Sequence, residues 1–254
     1  MRDDDPTTVL AQQSGAKAVG GRQVVLHYVL RRLLHRSFAA TLGCLRTWGL
    51  KTEARIAAAA WAHYRKRGKV LGPPAASRFT RSTISPKKTA LLSRKAFTSC
   101  FLGATSRPCH DAWNVVGPKV EKLCAQKFKS HRRLVKLLEG IHGFGHFRAG
   151  DLSNDILEHR CLHKMAPSQA FHDTNKWSYI GPGASAGLNI IYRGHPLQAG
   201  PDDMVELLRL TQTAPVYLGP CLHRLGSKGV RPAPRHVEFI LCDYQRWARD
   251  SKSS

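Results

Sequence analysis

The chain has 254 residues, of which 42% are hydrophobic, and its formal net charge is +23. This length fits one large domain or two small ones, and the pI near 10.3 predicts an anionic partner, most often nucleic acid, with a ribosome-associated basic segment as the alternative. No apolar run approaches the roughly 18 residues of a membrane span, and the acidic start Met1–Pro6 is not a secretory signal. We therefore expect no membrane partner.

The seven cysteines form no C-x-x-C pair, which favours free thiols in a reducing compartment. We expect an intracellular protein, in the nucleus of a eukaryote or the cytoplasm of a prokaryote. Histidines and one cysteine are scattered through the middle of the chain without the spacing of a zinc finger or of a metalloprotease helix. They are His142, His146, His159, Cys161, His163 and His172. The sequence therefore predicts neither a metal nor a cofactor.

Residues 1–95 are predicted to form a basic N-terminal region of helices and a disordered linker. Residues 22–49 carry apolar side chains on a rough helical period, and residues 52–66 are rich in alanine, with Thr52 as the expected N-cap. Residues 68–88 are dominated by proline, serine and positive charge and show no periodicity, which is typical of a linker.

Residues 96–254 are predicted to form a compact helical domain. Pro118 is expected in the first turn of a helix that Gly140 ends. Apolar periodicity and acidic residues at helix starts predict four further helices, at about 146–160, 184–192, 202–210 and 235–250. No alternating strand pattern and no internal repeat is present. The predicted fold class is therefore all-α.

A glycine-containing turn between two of these helices has the spacing of a helix-hairpin-helix. The pattern is Ile141-x-Gly143-Phe144-Gly145-x-x-x-Ala149, in which the glycines permit a tight turn and leave the next helix's N-terminal amides open to a phosphate. An ordinary corner between two helices is the alternative. The basic helix upstream favours contact with a DNA backbone. The predicted DNA-binding residues are Gly143, Gly145, His146, Arg148, Lys129, Arg132 and Arg133.

An acidic stripe follows the hairpin, because Asp151, Asp155 and Glu158 are spaced four and three residues apart on one helical face. Such a stripe beside a basic surface suits a general base, for which Asp155 is the best candidate. The alternative is a surface stripe that pairs with Arg148 or Arg160.

Two further stretches carry candidate site residues. The run Gly181–Asn189 reads GPGASAGLN; it is neither a P-loop nor a dinucleotide fingerprint, and a glycine-rich entry to a helix is a candidate anion cradle. Trp177, just upstream, is a candidate for stacking on an extruded base, although burial is the commoner fate of a tryptophan. Glu238 and Cys242 are one turn apart on the last predicted helix, where a cysteine is more often a core residue than a nucleophile.

Taken in order, these motifs resemble the helical domain of 5-hydroxymethyluracil DNA kinases and of α-glutamyl/putrescinyl thymine pyrophosphorylases, the amino acid:DNA transferases. The matching motifs cover roughly residues 125–250. They are Gly143-Phe144-Gly145-His146-Phe147-x-Ala149, Asp155-Ile156, Trp177-x-x-x-Gly181-Pro182-Gly183-Ala184-x-x-Gly187-Leu188-Asn189 and Val237-Glu238-x-x-Leu241-Cys242-Asp243-Tyr244. The final motif departs from the family's usual Cys-Glu-aromatic-Asp-Lys-aromatic pattern.

The resemblance implies thymine hypermodification in double-stranded DNA with a flipped modified base. Because no Walker motif is present, the chain is not a complete kinase, and the implied activity is transfer of an amine onto a pyrophosphorylated 5-hydroxymethyluracil. The implied catalytic residues are Asp155, Glu238, Cys242 and Asp243. The implied substrate and pyrophosphate site consists of Trp177, Gly181, Pro182, Gly183, Gly187 and Asn189. Two alternatives remain: a non-catalytic or diverged DNA-binding module, and a DNA-glycosylase-like enzyme, since that fold also combines a helix-hairpin-helix with a downstream aspartate.

Overall fold

The computed structural model of the chain describes residues 20–72, 93–157, 171–193, 203–212 and 233–251. These residues are predominantly helical, and the β-type pairings within them are the isolated bridges Leu34–Leu71 and Lys129–Phe171. The prediction of an all-α fold is confirmed. Residues 73–88 of the predicted linker lie outside the described residues. No helix in the described ranges is both long and apolar enough to cross a bilayer.

Ten α-helices and one π-helical segment make up the described part. In chain order they are α1 (Gly21–Leu33), α2 (Arg36–Leu42), α3 (Leu50–Arg67), α4 (Arg94–His110), the π segment (Asp111–Val116), α5 (Gly117–Ala125), α6 (His131–Leu138), α7 (His146–Leu157), α8 (Pro182–Arg193), α9 (residues 203–212) and α10 (Pro234–Asp250).

Several helix boundaries differ from the sequence-based expectations. Helix α3 begins at Leu50 with Gly49 at the N-cap, so Thr52 lies inside the helix and the predicted cap is wrong. The helix expected from Pro118 to Gly140 is two helices, because the Ser130 side chain accepts from the Arg133 amide and starts α6 anew. Phe128, which had been placed on the apolar face, lies between them and is 73% exposed. Helix α4 had not been predicted.

Helix α1 lies at the centre of the main hydrophobic core. Val24, Val25 and Leu26 are fully buried, and the core extends from this helix through α4, α5, α6 and α7. The crossing with α5 is close, since a Cβ atom on Gly117 would lie 2.7 Å from the Arg22 Cα atom. The hydrophobic core therefore continues across the domain boundary predicted at residue 95.

The π segment joins α4 to α5 and positions the loop that follows α6. Pro108 near the end of α4 has no N–H to donate, and the wider π turn follows directly after it. Asp111, the first π residue, is buried, and its carboxylate accepts a hydrogen bond of 3.0 Å from the His142 backbone N–H. Arg107 pairs with the same carboxylate at 3.2 Å. One buried acid thus anchors the hairpin to the core.

Candidate nucleic-acid interface

Helices α6 and α7 are joined by a tight turn that matches the predicted helix-hairpin-helix. Ile141 and Phe144 are buried and fix the turn to the core, and the Phe144 N–H donates to the Ile141 carbonyl at 2.9 Å. Gly143 has a φ of +77°, which favours glycine. A Cβ atom at Gly143 or at Gly145 would meet no atom within 4 Å. The backbone of this turn is therefore open to a ligand.

The side chains of the turn divide between support and exposure. Arg148, predicted to contact DNA, is half-buried and donates from Nη1 to the Gly143 carbonyl at 3.0 Å, so it supports the turn. His146 is exposed and donates to the Glu139 carboxylate. Lys136 pairs with the same carboxylate at 3.1 Å. The His146 hydrogen bond, offset by partial burial and helped by Lys136, lowers the pKa of Glu139 below its usual range.

A distant segment adds to the cap that Ser130 gives the basic helix α6. The Asp173 carboxylate accepts from the backbone N–H groups of His131 at 2.6 Å and Arg132 at 3.1 Å, and from the Ser130 hydroxyl at 2.6 Å. Burial raises the pKa of Asp173, but these hydrogen bonds outweigh it and the net pKa is lowered. Asp173 was not among the predicted site residues, because its partners are more than 40 residues away along the chain.

A groove of about 510 Å³ lies beside α6 and the start of α7. Arg132, Arg133 and Lys136 are exposed along it, and Trp177 lies half-buried at its wall. The indole of Trp177 contacts the buried His131 ring edge-on, with centroids 4.9 Å apart. The groove is lined by Ser130, Arg132, Arg133, Val135, Lys136, Glu139, His146 and Trp177. Lys129 precedes α6 and does not belong to this lining. The arrangement combines cations with an aromatic face, as nucleic-acid grooves do.

Asp155 forms a buried ion pair rather than facing the groove. It is 7% exposed, and its carboxylate accepts from Arg32 Nη2 at 2.6 Å and Nε at 2.8 Å. Arg32 also pairs with Asp151 at 3.4 Å. Asp151 and Asp155 of the acidic stripe therefore both pair with an arginine of α1, a partner that the sequence did not indicate. Glu158 and Arg160 lie outside the described residues.

The GPGASAGLN run is the start of helix α8, and its glycines contact helix α10. A Cβ atom on Gly187 would lie 2.6 Å from the Leu241 carbonyl oxygen, and one on Gly183 would lie 3.1 Å from Cys242 Sγ. Both glycines therefore permit close helix packing. The Gly181 N–H donates to the buried Glu238 carboxylate at 3.3 Å, so a carboxylate of the protein already occupies the amide where an anion was expected.

The polar residues of this run make hydrogen bonds within α8 and to α9. Pro182 is the exposed first residue of α8. Asn189 is buried, and its side-chain oxygen accepts from Arg193 Nη1 at 2.6 Å. Arg193 in turn pairs with Glu206 of α9 at 2.8 Å. Ser185 of α8 donates to Asp203 at 2.6 Å, so two polar contacts tie α8 to α9.

The predicted acids and thiol of α10 lie in two environments. Cys242 Sγ donates to Glu238 Oε1 at 3.6 Å; burial, followed by the charge and hydrogen bond of Glu238, raises the thiol pKa to about 12. This thiol is protonated near neutral pH and is a poor nucleophile. Asp243 is exposed and pairs with Arg246 at 3.1 Å, away from Glu238.

Tyr179 connects the acidic residues of α7 and α10. Its ring lies on Gly150 so closely that a Cβ atom there would be 2.2 Å from Cδ1. Burial raises the Tyr179 pKa, and the charges of Glu238 and Asp151 raise it further. The charges of Glu238 and Asp151 thus both act on this phenol, whereas Asp155 is directed to Arg32.

Comparison of the chain with family models, with curated proteins and with solved structures finds no match in any of the three. The resemblance to the thymine-modifying enzymes consequently stays a prediction from the short motifs quoted above. The geometry of the hairpin, the groove and the carboxylates is then the basis for inferring function.

Proposed function

We propose that the chain is a DNA-binding protein that contacts the phosphate backbone through the hairpin and the basic groove of α6. The observation that carries this proposal is the open backbone at Gly143 and Gly145, in the turn that follows the helix whose exposed Arg132, Arg133 and Lys136 line the groove. Backbone amides at the start of a helix attract phosphate, and arginine and lysine add charge-assisted contacts along the strand.

Backbone contact explains the composition as well as the site. Each phosphate that a cation neutralises releases condensed counterions, so affinity falls steeply with salt. Contacts of this kind position a protein on the duplex without reading its sequence. We therefore expect weak sequence preference and strong salt dependence.

The test is fluorescence anisotropy of a labelled DNA duplex over a series of salt concentrations. We expect the double variant R133A/K136A to reduce the slope of log affinity against log salt by about 2, because each lost phosphate contact removes about 0.9. The matched control is K51A/R55A, which removes two exposed cations from α3. Equal slopes for the groove variant and the wild-type protein would contradict the proposal.

A second candidate function is base modification, in which an amine is transferred onto a pyrophosphorylated 5-hydroxymethyluracil. The observation that favours it is the buried Glu238 carboxylate, which accepts from the Gly181 N–H and from Cys242 Sγ and whose charge, like that of Asp151, raises the pKa of Tyr179. The test is mass spectrometry of nucleosides from pyrophosphorylated DNA incubated with the protein and amines. An increased nucleoside mass supports amine transfer, and release of a free base supports a glycosylase. An unchanged nucleoside mass contradicts base modification and leaves DNA binding as the single proposed function.

A further inference from the structure

A second basic surface lies at the end of α3, where two distant segments of the chain meet. Gly68 ends α3 with a φ of +69°, and the chain then returns to α1 and α2. The His35 N–H donates to the Val70 carbonyl at 2.7 Å, and the Gly72 N–H donates to the Leu33 carbonyl at 2.8 Å. These bonds bring exposed cations of the two segments together. They are Arg36, Arg65, Lys66, Arg67 and Lys69.

Two histidines and a serine lie within this surface. Ser37 Oγ is 2.8 Å from His35 Nδ1 and 3.1 Å from His63 Nε2. The Ser37 backbone N–H also points to His35 Nδ1 at 3.4 Å, and because an N–H can only donate, this nitrogen is an acceptor. The Ser37 hydroxyl therefore donates to His35 and accepts from the Nε2–H of His63. All three side chains are only partly buried.

The charge around this cluster is uniformly positive. Within the described part of the chain, none of the five cations pairs with an acid, and partial burial together with Lys69 and Arg36 lowers the pKa of His35. Burial, Arg67 and His35 lower the pKa of His63 in the same way. The negative end of the α3 dipole amounts to about half a charge, which five cations greatly exceed. An external anion would complement this charge.

We propose that His35, Ser37 and His63, with the surrounding cations, bind a phosphate of a second nucleic-acid segment. The choice of nucleic acid rests on the proposed function of the hairpin. The surface lies toward the opposite end of α7 from the hairpin, because Arg32 at the end of α1 pairs with Asp155 near the end of α7. Helix α7 has 12 residues and is about 18 Å long. The chain therefore has two basic surfaces about one helix length apart, and we assign the second surface to a duplex of its own.

The first experiment measures the stoichiometry of binding with a labelled duplex of about 12 base pairs, added above its dissociation constant at low salt. We expect two duplexes for each wild-type chain, one for R67E/K69E, and two for the control K51E/R55E, which makes the same charge change elsewhere on α3. Two duplexes bound by R67E/K69E, or one bound by the wild-type protein, overturns the inference.

The second experiment separates this inference from the proposed function of the hairpin. R133E/K136E leaves the surface at α3 intact, so we expect it to bind one duplex, and loss of that last duplex in the combined variant R67E/K69E/R133E/K136E. If R133E/K136E binds two duplexes while R67E/K69E binds one, the proposed function of the groove is contradicted and the inferred site at the end of α3 is supported.

The third experiment tests whether phosphate itself binds at the histidines. We expect inorganic phosphate to raise the pKa of His35 and His63 in histidine NMR titrations, because a bound anion stabilises their protonated forms. His172, which is exposed elsewhere, is the internal control. Unchanged pKa values, or displacement of the second duplex by polyglutamate as readily as by an unlabelled duplex, overturns the assignment to phosphate.

Discussion

The Glu139 carboxylate accepts a hydrogen bond from the imidazole of His146, and the two residues lie on opposite sides of the hairpin turn. Glu139 also pairs with Lys136, so one acid engages two of the groups that line the groove. A phosphate entering the groove must compete with this carboxylate.

The variant Glu139→Gln therefore tests whether the carboxylate restrains binding. We expect it to bind duplex DNA about threefold to tenfold more tightly at low salt, because Lys136 and His146 lose an internal counterion and the groove loses a negative charge. The control is Glu53→Gln on α3, whose carboxylate accepts from Ser106 outside the groove. Equal affinities for Glu139→Gln and wild-type protein in anisotropy titrations would rule out the restraint.

Substitutions at glycine separate packing from binding. We expect Gly187→Ala to destabilise the protein by about 1–3 kcal/mol, because its new methyl group would meet the Leu241 carbonyl oxygen at 2.6 Å. Gly103→Ala is the matched helical control: nothing lies within 4 Å of its new methyl group, and alanine should stabilise α4 by about 0.5–1 kcal/mol. Denaturant unfolding measures both changes, and equal effects would refute the packing role of Gly187.

The ion pair between Arg32 and Asp155 has a predictable effect on stability. We expect Asp155→Asn to lower the free energy of unfolding by about 2 kcal/mol, below the range for a fully buried pair because Arg32 is 34% exposed and keeps Asp151 as a partner. Asp243→Asn is the control, since this acid is exposed. Thermal unfolding checks the difference, and a stable Asp155→Asn variant would show that the pair contributes little.

This expectation also affects how base-modification assays are interpreted. A loss of activity in Asp155→Asn can reflect a weakened contact between α1 and α7 instead of a missing base. Glu238→Gln serves as the companion variant, because the amide keeps the size of the carboxylate and can still accept from the Gly181 N–H. Activity lost in Glu238→Gln, with DNA binding and stability retained, identifies chemistry at Glu238.

Stability should fall in mild acid because of His131. This ring is fully buried; burial and then Arg235 lower its pKa to about 4 from an ordinary value of 6.5. Between pH 6.5 and about pH 4 the unfolded chain binds a proton at this histidine and the folded chain does not. The stability that depends on the neutral ring is therefore fully present above pH 6.5 and is lost as the pH falls toward about 4. The loss amounts to about 3 kcal/mol. In urea titrations across this window, we expect a shallower pH dependence for His131→Gln, and an unchanged dependence would contradict the assignment.

Local patterns predicted part of this molecule. The hairpin followed from Gly143 and Gly145 between apolar anchors, and α10 followed from its apolar stripe, since both signals lie within a few turns of the chain. Helix α6 was merged with α5 because Phe128 continued the apolar period, although Ser130 restarts the helix. An apolar period in the sequence does not show which of its side chains are buried in the core.

Contacts between distant residues were beyond the reach of such patterns. The partner of Asp155 is 123 residues away, and the cap that Asp173 provides lies 42 residues from His131. Gly183 and Gly187 illustrate a different ambiguity: an anion cradle and a close helix crossing both require the absence of a Cβ atom. The position of α10 beside these glycines shows that they serve a close helix crossing. The sequence of α8 alone does not predict where α10 lies.

The central position of α1 has a consequence for synthesis. Val24, Val25 and Leu26 are covered by helices that follow much later in the chain, and Arg32 pairs with Asp155 only after 123 further residues have been made. At ribosomal rates of about 5–20 residues per second, this apolar helix waits roughly 6–25 s for its partners. During that time the nascent chain exposes an apolar, aggregation-prone segment. Folding in the cell should therefore depend on chaperones that shield α1.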